Sequence, residues 1–339
     1  MGGDNAPEAP VLGAVEAAKT YGIEIVLVGR GEDILAVLKK HGIDNLPEGM
    51  EISNADDVVD MHDDPASIIH KRKNSSMVIG LKMLADGLGD AFVSAGSTGA
   101  LLTGATLLVK RVKGIRRAAM GPAMPNKAGG KTVIVDCGAN AECTPEFLLQ
   151  FAFMGSYYAQ KTLKLGRPRV GLLNIGTEDS KGGALQKEAY ALLKKAGDAG
   201  YLNFIGNVEA RDVPLGGADV VVADGFAGNV LLKGIEGTAL FMSSMVKDMF
   251  KKNLLTKLAA LLCMSGVKSM KAKLDYRETG GTLLLGISKP VVKAHGSSDE
   301  RAIFSAIRQA VQAVEAGFTE DIRQNVDKMI VPKELEHAE

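Results

Sequence analysis

The stretch DVVVADG (residues 219–225) decides the fold class of this 339-residue chain. It holds three consecutive valines, which is typical of a strand covered on both faces, and it leads through a glycine into an apolar helical pattern. Four other runs are similar, namely IEIVLVG (23–29), AFVSAG (91–96), TVIVDCG (132–138) and VGLLNIG (170–176). Apolar strands that alternate with helices predict an α/β fold with a mostly parallel sheet.

Two helical patterns between these runs end at clear stop signals. GEDILAVLKKHG (31–42) and GGALQKEAYALLKKAG (182–197) place apolar residues at i, i+3 and i+4 and finish at glycine. With 46% hydrophobic residues the chain can bury a large core, and its 40 glycines fit tight turns between strands and helices. We expect a single α/β catalytic domain over residues 1–339.

The bulk composition excludes several classes of protein. The formal net charge is zero, which argues against an electrostatic nucleic-acid binder. The three cysteines, Cys137, Cys143 and Cys263, form no CxxC pair and no metal-ligand spacing. No secretory signal is visible, and no apolar run approaches the ~20 residues of a membrane-spanning helix. We therefore expect a cytoplasmic protein without a metal.

The loops that follow four of the predicted strands are rich in small polar residues. They are SAGSTGA (94–100), DCGANAE (136–142), NIGTEDSKGG (174–183) and ADGFAGN (223–229). The turn alone explains the glycine of one such loop, but four loops that also carry Ser, Thr, Asn, Asp and Lys indicate a ligand site. Ligands of parallel sheets bind beyond the carboxyl ends of the strands, so we expect these loops to form one polar rim.

The residue types in these loops suit an anionic ligand. Ser97 and Thr98 would present hydroxyls and main-chain N–H groups at the start of a helix, where anions bind readily. The ammonium of Lys181 could neutralise phosphate. Asn140 and Asn229 occupy matching strand-end positions and could donate to a carbonyl oxygen, although an asparagine there is as often a turn former or a helix cap.

Three further features allow two interpretations each. HKRKNSSM (70–77) opens a helix with a basic run, which is either a solvated face or a grip for a second phosphate or an acidic partner. His62 is the histidine best suited to proton transfer, although a histidine in a surface loop more often has no such role. AHGSSDERAI (294–303) places Ser297 and Ser298 as caps of another helix.

Residues 247–273, KDMFKKNLLTKLAALLCMSGVKSMKAK, break the α/β pattern. They carry seven lysines and one acid around an apolar centre at 258–264. Basic flanks around a short apolar stretch suit a helical pair whose tip lies at a membrane surface. A solvated helix with a dimer face explains the pattern equally well, and both can hold at once.

Eight motifs, in order along the chain, resemble the bacterial phosphate acyltransferases of phospholipid synthesis. They are MGGDNAPE, DDP…KRKNSSM, SAGSTGA, DCGANAECTPEFLLQFAFMGSYYA, VGLLNIGTEDSKG, FIGNVEARD, ADGFAGNVLLK and DYRETGGTLLLG…AHGSSDERAI. The resemblance covers essentially the whole chain. It implies an α/β/α sandwich similar to the isocitrate/isopropylmalate dehydrogenase and phosphotransacetylase architecture.

The resemblance also implies an activity and its partners. The family's enzyme is an acyl carrier protein:phosphate transacylase, which moves a long-chain fatty acyl group from the carrier's phosphopantetheine thioester to inorganic phosphate. The acyl-phosphate then feeds phospholipid synthesis. No separate cofactor is implied, because phosphate is a substrate and the acyl carrier protein carries the phosphopantetheine. The family is homodimeric and binds the cytoplasmic membrane peripherally, here through the lysine-rich helical segment at about 238–275, and no nucleic acid is expected as a partner.

We assign roles to residues as hypotheses within this chemistry. Phosphate is held by Lys181 together with the loop residues Gly2, Gly3, Asn5, Ser97, Thr98 and Gly99. The thioester oxygen accepts from Asn229 and Asn140, and His62 is a candidate for protonating the thiolate. Carrier or pantetheine contacts are assigned to Lys71, Arg72, Lys73, Ser75, Ser76 and Ser297. Membrane contacts are assigned to Leu258, Leu261, Leu262 and Met264.

Three features depart from the family pattern. Ser97 stands where the family usually has Asn, which exchanges an amide for a hydroxyl in the phosphate loop. Arg117-Ala118 stands where the family has Arg-Pro, which loosens a turn. Family members also carry a short apolar strand ending in Asp-Ala just before the position of Met1. We therefore expect that the N-terminal strand is missing here and that residues 2–5 are poorly anchored.

Three other functions stay open at this point. A phosphotransacetylase-like enzyme would use the same pantetheine arm on acyl-coenzyme A. A non-catalytic membrane scaffold for lipid enzymes would use only the lysine-rich segment, and the polar loops argue against it. A dehydrogenase is the weakest alternative, because no acidic residue follows a glycine fingerprint at the expected distance and no cluster of metal-binding aspartates is evident.

Overall fold

The elements alternate along the chain as the sequence predicts. The computed structural model describes residues 1–266 and 280–330. The strands are β1 (Ile25–Gly29), β2 (Met50–Asn54), β3 (Phe92–Ser94), β4 (Ala119–Gly121), β5 (Ala123–Pro125), β6 (Lys131–Val135), β7 (Arg169–Asn174), β8 (Asn203–Glu209), β9 (Val220–Val222), β10 (Gly281–Leu285) and β11 (Val291–Ala294). All five apolar runs of the sequence form strands, which confirms the α/β prediction.

The helices fill the connections between these strands. They are α1 (Glu8–Tyr21), α2 (Gly31–Lys40), α3 (Ile68–Lys71), α4 (Ser76–Ala85), α5 (Thr98–Gly104), α6 (Pro145–Lys161), α7 (Ala184–Asp198), α8 (Gly225–Lys251), α9 (Leu254–Leu262), α10 (Glu300–Ala316) and α11 (Phe318–Gln324). A π-helical turn, Ala105–Val109, continues α5, and a 3₁₀ turn, Val326–Met329, follows α11.

The three valines of β9 lie at the centre of a five-stranded sheet with the order β5-β6-β9-β7-β8. All three are fully buried. Val220 and Val222 belong to the core that contains Phe151 of α6, whereas Val221 packs in the cluster that Leu231 and Ile235 of α8 border. Helices therefore cover both faces of β9, which is why its sequence is apolar without alternation.

Residues 119–125 join this sheet to a second, four-stranded sheet with the order β3-β11-β10-β4. β4 runs antiparallel to β10, β10 antiparallel to β11, and β11 parallel to β3. β5, which continues β4, runs antiparallel to β6, and β6, β9 and β7 are mutually parallel. The carboxyl ends of β3 and β11 therefore lie at the opposite edge from those of β6, β9 and β7.

A cavity of about 530 Å³ lies between β1 and β3. β1 pairs with β2 in a separate two-stranded sheet, and β3 pairs with β11. Each of the two strands has one pairing partner within the described ranges, and both line the cavity. Apolar side chains of α1, α4 and α10 complete its walls, and Met1 and Gly2 lie at its rim. The cavity thus occupies the space that one additional strand would fill between β1 and β3.

The helix pair α8 and α9 presents an apolar surface. Within α8, Gly225 and Gly228 are buried, and its later turns and α9 leave large apolar side chains exposed. These are Leu240, Phe241, Met242, Met245, Met249, Leu254, Leu255, Leu258, Leu261, Leu262 and Met264. Among the described helices, none has both the length and the apolar composition to cross a membrane. Residues 267–275 of the lysine-rich segment lie outside the described residues.

Candidate active site

The first-loop group consists of residues 1–5, 94–99 and 293–298, which meet beyond β3 and β11. The Asp4 N–H donates to the Gly296 carbonyl at 2.8 Å, and the Asn5 amide donates to the carbonyls of Ser297 and Ser298 at 3.2 Å each. Gly2 lies so close to Gly96 that a Cβ there would be 2.8 Å from the Gly96 Cα. The expectation that residues 2–5 are poorly anchored is therefore wrong, because these hydrogen bonds hold the loop.

Ser97, Thr98 and Gly99 lie at the start of α5, as the sequence predicts. Ser97 is buried, and its carbonyl accepts the N–H of Leu101 at 3.0 Å, while its side chain makes no capping hydrogen bond. A Cβ on Gly99 would lie 3.0 Å from Pro65 Cγ, so the loop that carries His62 packs against this helix start. The His62 side chain is exposed, and its main-chain N–H donates to Asp60.

Lys293 is a member of the first-loop group that sequence reasoning missed. It lies in β11 opposite Ser94, and 8% of its surface is exposed. Its ammonium donates to the carbonyls of Ala95, at 3.4 Å, and Ala294. Burial lowers the pKa of Lys293 to about 8, and the charge of Asp4 opposes that shift. The sequence signal for it was a lysine inside the apolar run PVVKA (290–294). Lysine side chains are usually exposed, so this pattern did not by itself indicate a buried charge.

The basic residues at 70–73 differ in their surroundings, because two lysines are exposed to solvent and the arginine forms ion pairs within the protein. Lys71 and Lys73 are exposed. Arg72 instead donates to both carboxylate oxygens of Asp63, at 2.9 and 3.0 Å, and to Asp57 at 3.2 Å. The hydrogen bonds from Arg72 lower the pKa of Asp63. This geometry favours a positioning role for Arg72 over direct contact with a carrier.

The serines assigned to carrier contact differ in exposure. Ser75 is fully buried and caps α4 through its hydroxyl, and Ser76 is also buried. Ser297 is exposed, and its hydroxyl lies 2.8 Å from His295 Nδ1. The cap of α10 is Asp299, whose carboxylate accepts the N–H of Ala302 at 2.9 Å. The prediction that Ser297 and Ser298 cap this helix is wrong, because the helix begins at Glu300 and Asp299 occupies the cap position.

The α8 group consists of residues 136–142, 174–183 and 223–229, and the buried carboxylate of Asp136 organises the first of these loops. Asp136 Oδ1 accepts the N–H groups of Met120 and Ala139, at 2.8 and 3.3 Å. Asp136 Oδ2 accepts the main-chain and side-chain N–H groups of Asn140, at 2.6 and 2.9 Å. Burial raises the pKa of Asp136, against the opposing effect of these donors. Sequence reasoning did not single out Asp136.

Asn140 and Asn229 differ in the freedom of their side-chain amides. The Asn140 amide donates one hydrogen to Asp136 and the other to the Ala118 carbonyl at 2.8 Å. Asn229 is exposed on the first turns of α8, near Gly138, and its amide makes no hydrogen bond within the described part of the chain. Asn229 can therefore donate to a ligand, whereas Asn140 already uses both hydrogens.

Two glycines allow the start of α8 to touch the Asp136 loop. The Gly225 N–H donates to the Asn140 carbonyl at 2.8 Å. A Cβ on Gly225 would lie 2.5 Å from the same oxygen, and a Cβ on Gly228 would lie 1.9 Å from the Asp136 carbonyl oxygen. Only glycine fits at these positions, so the sequence ADGFAG follows from a contact between main chains.

Lys181 lies in the exposed loop after β7. Its ammonium is 3.9 Å from Glu178, and both side chains are largely exposed. Hydrogen bonds from Asn174 to the Lys181 carbonyl and from Asn207 to the Glu178 carbonyl, at 3.1 and 2.7 Å, fix the loop. The Lys181 side chain thus remains available to a ligand at this edge of the sheet.

The four polar loops form two groups rather than one rim. The first-loop group follows β3 and β11, and the α8 group follows β6, β7 and β9. Because β3 and β11 run opposite to β6, β7 and β9, the two groups of one chain lie at opposite ends of the strands. No hydrogen bond joins them among the described residues. The prediction of a single rim is wrong, because the sequence does not reveal that residues 119–125 reverse the strand direction between the sheets. Lys181 is accordingly not brought next to Ser97 and Thr98.

Neither Cys137, which is buried, nor Cys143, which is half-buried, is poised as a nucleophile. Burial raises the pKa of Cys143 to about 11 and raises that of Cys137 as well. Both groups are therefore protonated thiols near neutral pH, and the thiolate is the reactive form.

Comparison with known proteins places this site in context. A family model described as "Fatty acid synthesis protein" matches residues 1–321. The chain is 46% identical to a phosphate acyltransferase of Thermoanaerobacterium thermosaccharolyticum, over 96% of this chain and 95% of that protein. It is 44% identical to a phosphate acyltransferase of Bacillus licheniformis, over 97% of this chain and 98% of that protein.

The fold is shared with a solved enzyme. The structure superposes on a phosphotransacetylase from Streptococcus pyogenes with a TM-score of 0.61 over 91% of this chain and 92% of that chain. The sequence identity is 22%, so the likeness concerns the fold. It agrees with the architecture that the sequence motifs imply.

Proposed function

This chain belongs to the phosphate acyltransferase family, and we propose that it moves a long-chain fatty acyl group from acyl carrier protein to inorganic phosphate for phospholipid synthesis. The observation that carries the proposal is the match over residues 1–321, because that span includes every loop of both polar groups. Transfer to phosphate follows from the family, and the acyl carrier protein as donor is the finer part of the proposal.

The residues of the two groups suit this chemistry. Phosphate is itself the nucleophile, so the protein has to desolvate and position it, stabilise the thioester oxyanion and release a thiolate. The raised pKa values of Cys137 and of the half-buried Cys143 support a reaction in which neither thiol carries the acyl group. The first-loop group offers main-chain N–H groups, hydroxyls and a lysine for phosphate, and the α8 group offers the free amide of Asn229.

The identity of the acyl donor is tested by direct product measurement. The full chain is incubated with phosphate and either acyl carrier protein or coenzyme A that carries the same acyl group, and acyl-phosphate is detected as the hydroxamate by mass spectrometry. We expect product from the carrier-bound thioester. Product from coenzyme A alone would favour a phosphotransacetylase-like donor, and thioester that persists in both mixtures would favour a non-catalytic scaffold.

Asn229 is proposed to donate to the thioester oxygen. Because the two groups lie at opposite edges of one chain, this role requires the α8 group to come from the second copy in the proposed homodimer. We expect Asn229→Ala to lower turnover by ~10²–10³-fold, the usual effect of removing one oxyanion donor, with an unchanged melting temperature. Acyl-phosphate formation and thermal unfolding measure the two effects.

Asn140→Ala is the matched comparison for Asn229→Ala. It removes the donors to Asp136 and to Ala118, so we expect the free energy of unfolding to fall by about 1–3 kcal/mol, as for other buried groups left unpaired. Wild-type turnover in Asn229→Ala would exclude the amide from the reaction and leave the α8 group with a structural role.

The exposed apolar surface of α8 and α9 is proposed to contact both the second copy and the membrane. Leu258, Leu261 and Leu262 are each more than half exposed, and exposed apolar patches of this kind mark interaction sites. Basic residues nearby, such as Lys251, Lys252 and Lys257, would favour an anionic lipid surface.

We expect Leu262→Glu to weaken binding to vesicles of anionic phospholipid by about tenfold or more, because it removes a leucine that is 82% exposed from the lipid contact. Sedimentation of the protein with vesicles measures this. Leu215→Glu, at a leucine that is 54% exposed elsewhere on the surface, serves as the control and should bind like wild type. Loss of the dimer in Leu262→Glu, with vesicle binding retained, would assign α9 to the dimer face instead.

A further inference from the structure

We infer that Lys293 and Ser298 form a buried anion site in the first-loop group that binds the inorganic phosphate substrate; this inference rests on the proposed function. Neither residue is identified by the sequence motifs as a phosphate ligand. Both lie where three loops meet. Hydrogen bonds of Asp4 and Asn5 join residues 1–5 to residues 296–298, and Lys293 itself donates to Ala95 in the loop 94–99.

The position of the Lys293 ammonium is fixed by its neighbours. It donates to the Ala95 carbonyl at 3.4 Å, and a Cβ on Gly3 would lie 3.5 Å from that same oxygen and 3.3 Å from the Gly296 carbonyl oxygen. The main chain of Gly3 therefore lies beside the Ala95 carbonyl that accepts from Lys293 and beside the Gly296 carbonyl. Glycine at positions 3 and 296 presents no side chain here, which allows a small ligand to approach the main chain closely.

The Lys293 charge is buried without a partner of opposite sign. Within the described residues, no carboxylate lies within the 4.0 Å that defines an ion pair, and Asp4 acts on Lys293 from farther away. An ammonium has three hydrogens, and the two carbonyl acceptors leave one unused. A buried charge is costly unless it is paired, so this site favours an anion. Near neutral pH, below the pKa of about 8, the ammonium remains charged.

Ser298 provides a second, independent sign of a ligand. The residue is 3% exposed, and its hydroxyl has no hydrogen-bond partner among the described residues. Its carbonyl accepts from Asn5, which ties it to the first loop. Buried hydroxyls are rarely left unpaired, and a phosphate oxygen would accept from this one while other oxygens accept from Lys293.

Phosphate binding to the full chain is the direct test, by isothermal titration calorimetry with inorganic phosphate and no acyl donor. We expect Lys293→Met to raise the dissociation constant by about 10- to 100-fold, the effect of losing a hydrogen bond to a charged group, and Ser298→Ala to raise it by less. In turnover assays, KM for phosphate should rise more than KM for the acyl donor.

Lys289→Met is the matched control. Lys289 lies just before β11, and its ammonium also donates to two main-chain carbonyls, those of Leu84 and Gly89. It should bind phosphate like wild type. Lys293→Arg keeps the charge and should retain most of the affinity, which guards against a folding defect in Lys293→Met. Wild-type affinity in Lys293→Met, or equal weakening in Lys289→Met, would overturn the site. If the wild-type protein bound phosphate but formed no acyl-phosphate, that result would contradict the proposed function and would leave the anion site supported.

Discussion

Gly228→Ala is expected to lower the free energy of unfolding by at least about 1–3 kcal/mol, the usual result of forcing extra volume into a packed region. The new Cβ would lie 1.9 Å from the Asp136 carbonyl oxygen and 3.1 Å from its carbonyl carbon. Both neighbours are main-chain atoms that the buried Asp136 network fixes, so α8 has to move. Thermal or denaturant unfolding measures the loss.

Gly234→Ala supplies the control within the same helix. A Cβ at Gly234 meets no atom within 4 Å, and the residue is exposed. Alanine in an exposed helix interior is favoured over glycine by about 0.8–1.0 kcal/mol, so we expect a small gain in stability. If Gly228→Ala were as stable as Gly234→Ala, the close contact between α8 and the Asp136 loop would be absent in solution.

An apolar extension ahead of Met1 is expected to stabilise the protein by occupying the cavity between β1 and β3. The edges of both strands that border the cavity lack pairing partners among the described residues. An added strand would pair with these edges, which an acyl chain cannot do because it has no hydrogen-bonding groups. Buried apolar side chains and new hydrogen bonds, less the entropy of ordering the strand, should yield on the order of 2–5 kcal/mol.

The experiment compares two extensions of six residues, one β-branched and ending in Asp-Ala, the other made of Gly and Ser. We expect a higher melting temperature with the β-branched extension alone. Turnover should change less, because hydrogen bonds to residues 296–298 already hold the first loop. Equal melting temperatures for the two extensions would show that the cavity does not accept a strand.

Much of the architecture could be predicted from local sequence patterns. Successive residues of β9 are apolar because helices cover both faces of the sheet. α2 ends at Lys40, two residues before Gly42, which has a φ of 72°. The predicted stop at Gly197 is wrong, because α7 continues through it to Asp198. The candidate phosphate loop at Ser97 and Thr98 does start a helix. These features depend on residues close in sequence, so a pattern read along the chain captures them.

The site itself divides between what the sequence determined and what the tertiary structure decided. The sequence by itself determined the α/β class, the strand-end positions of the polar loops and, through its motifs, the family. Only the tertiary structure decided that residues 119–125 pair with β10 of one sheet and with β6 of the other, which places the polar loops at opposite ends of the strands. It also decided that Asp136 and Ala118 hold the Asn140 amide, whereas the Asn229 amide makes no hydrogen bond among the described residues, and that Lys293 is buried beside the first loop. Strand pairing and burial depend on residues far apart in the chain, and no local periodicity encodes which of them meet.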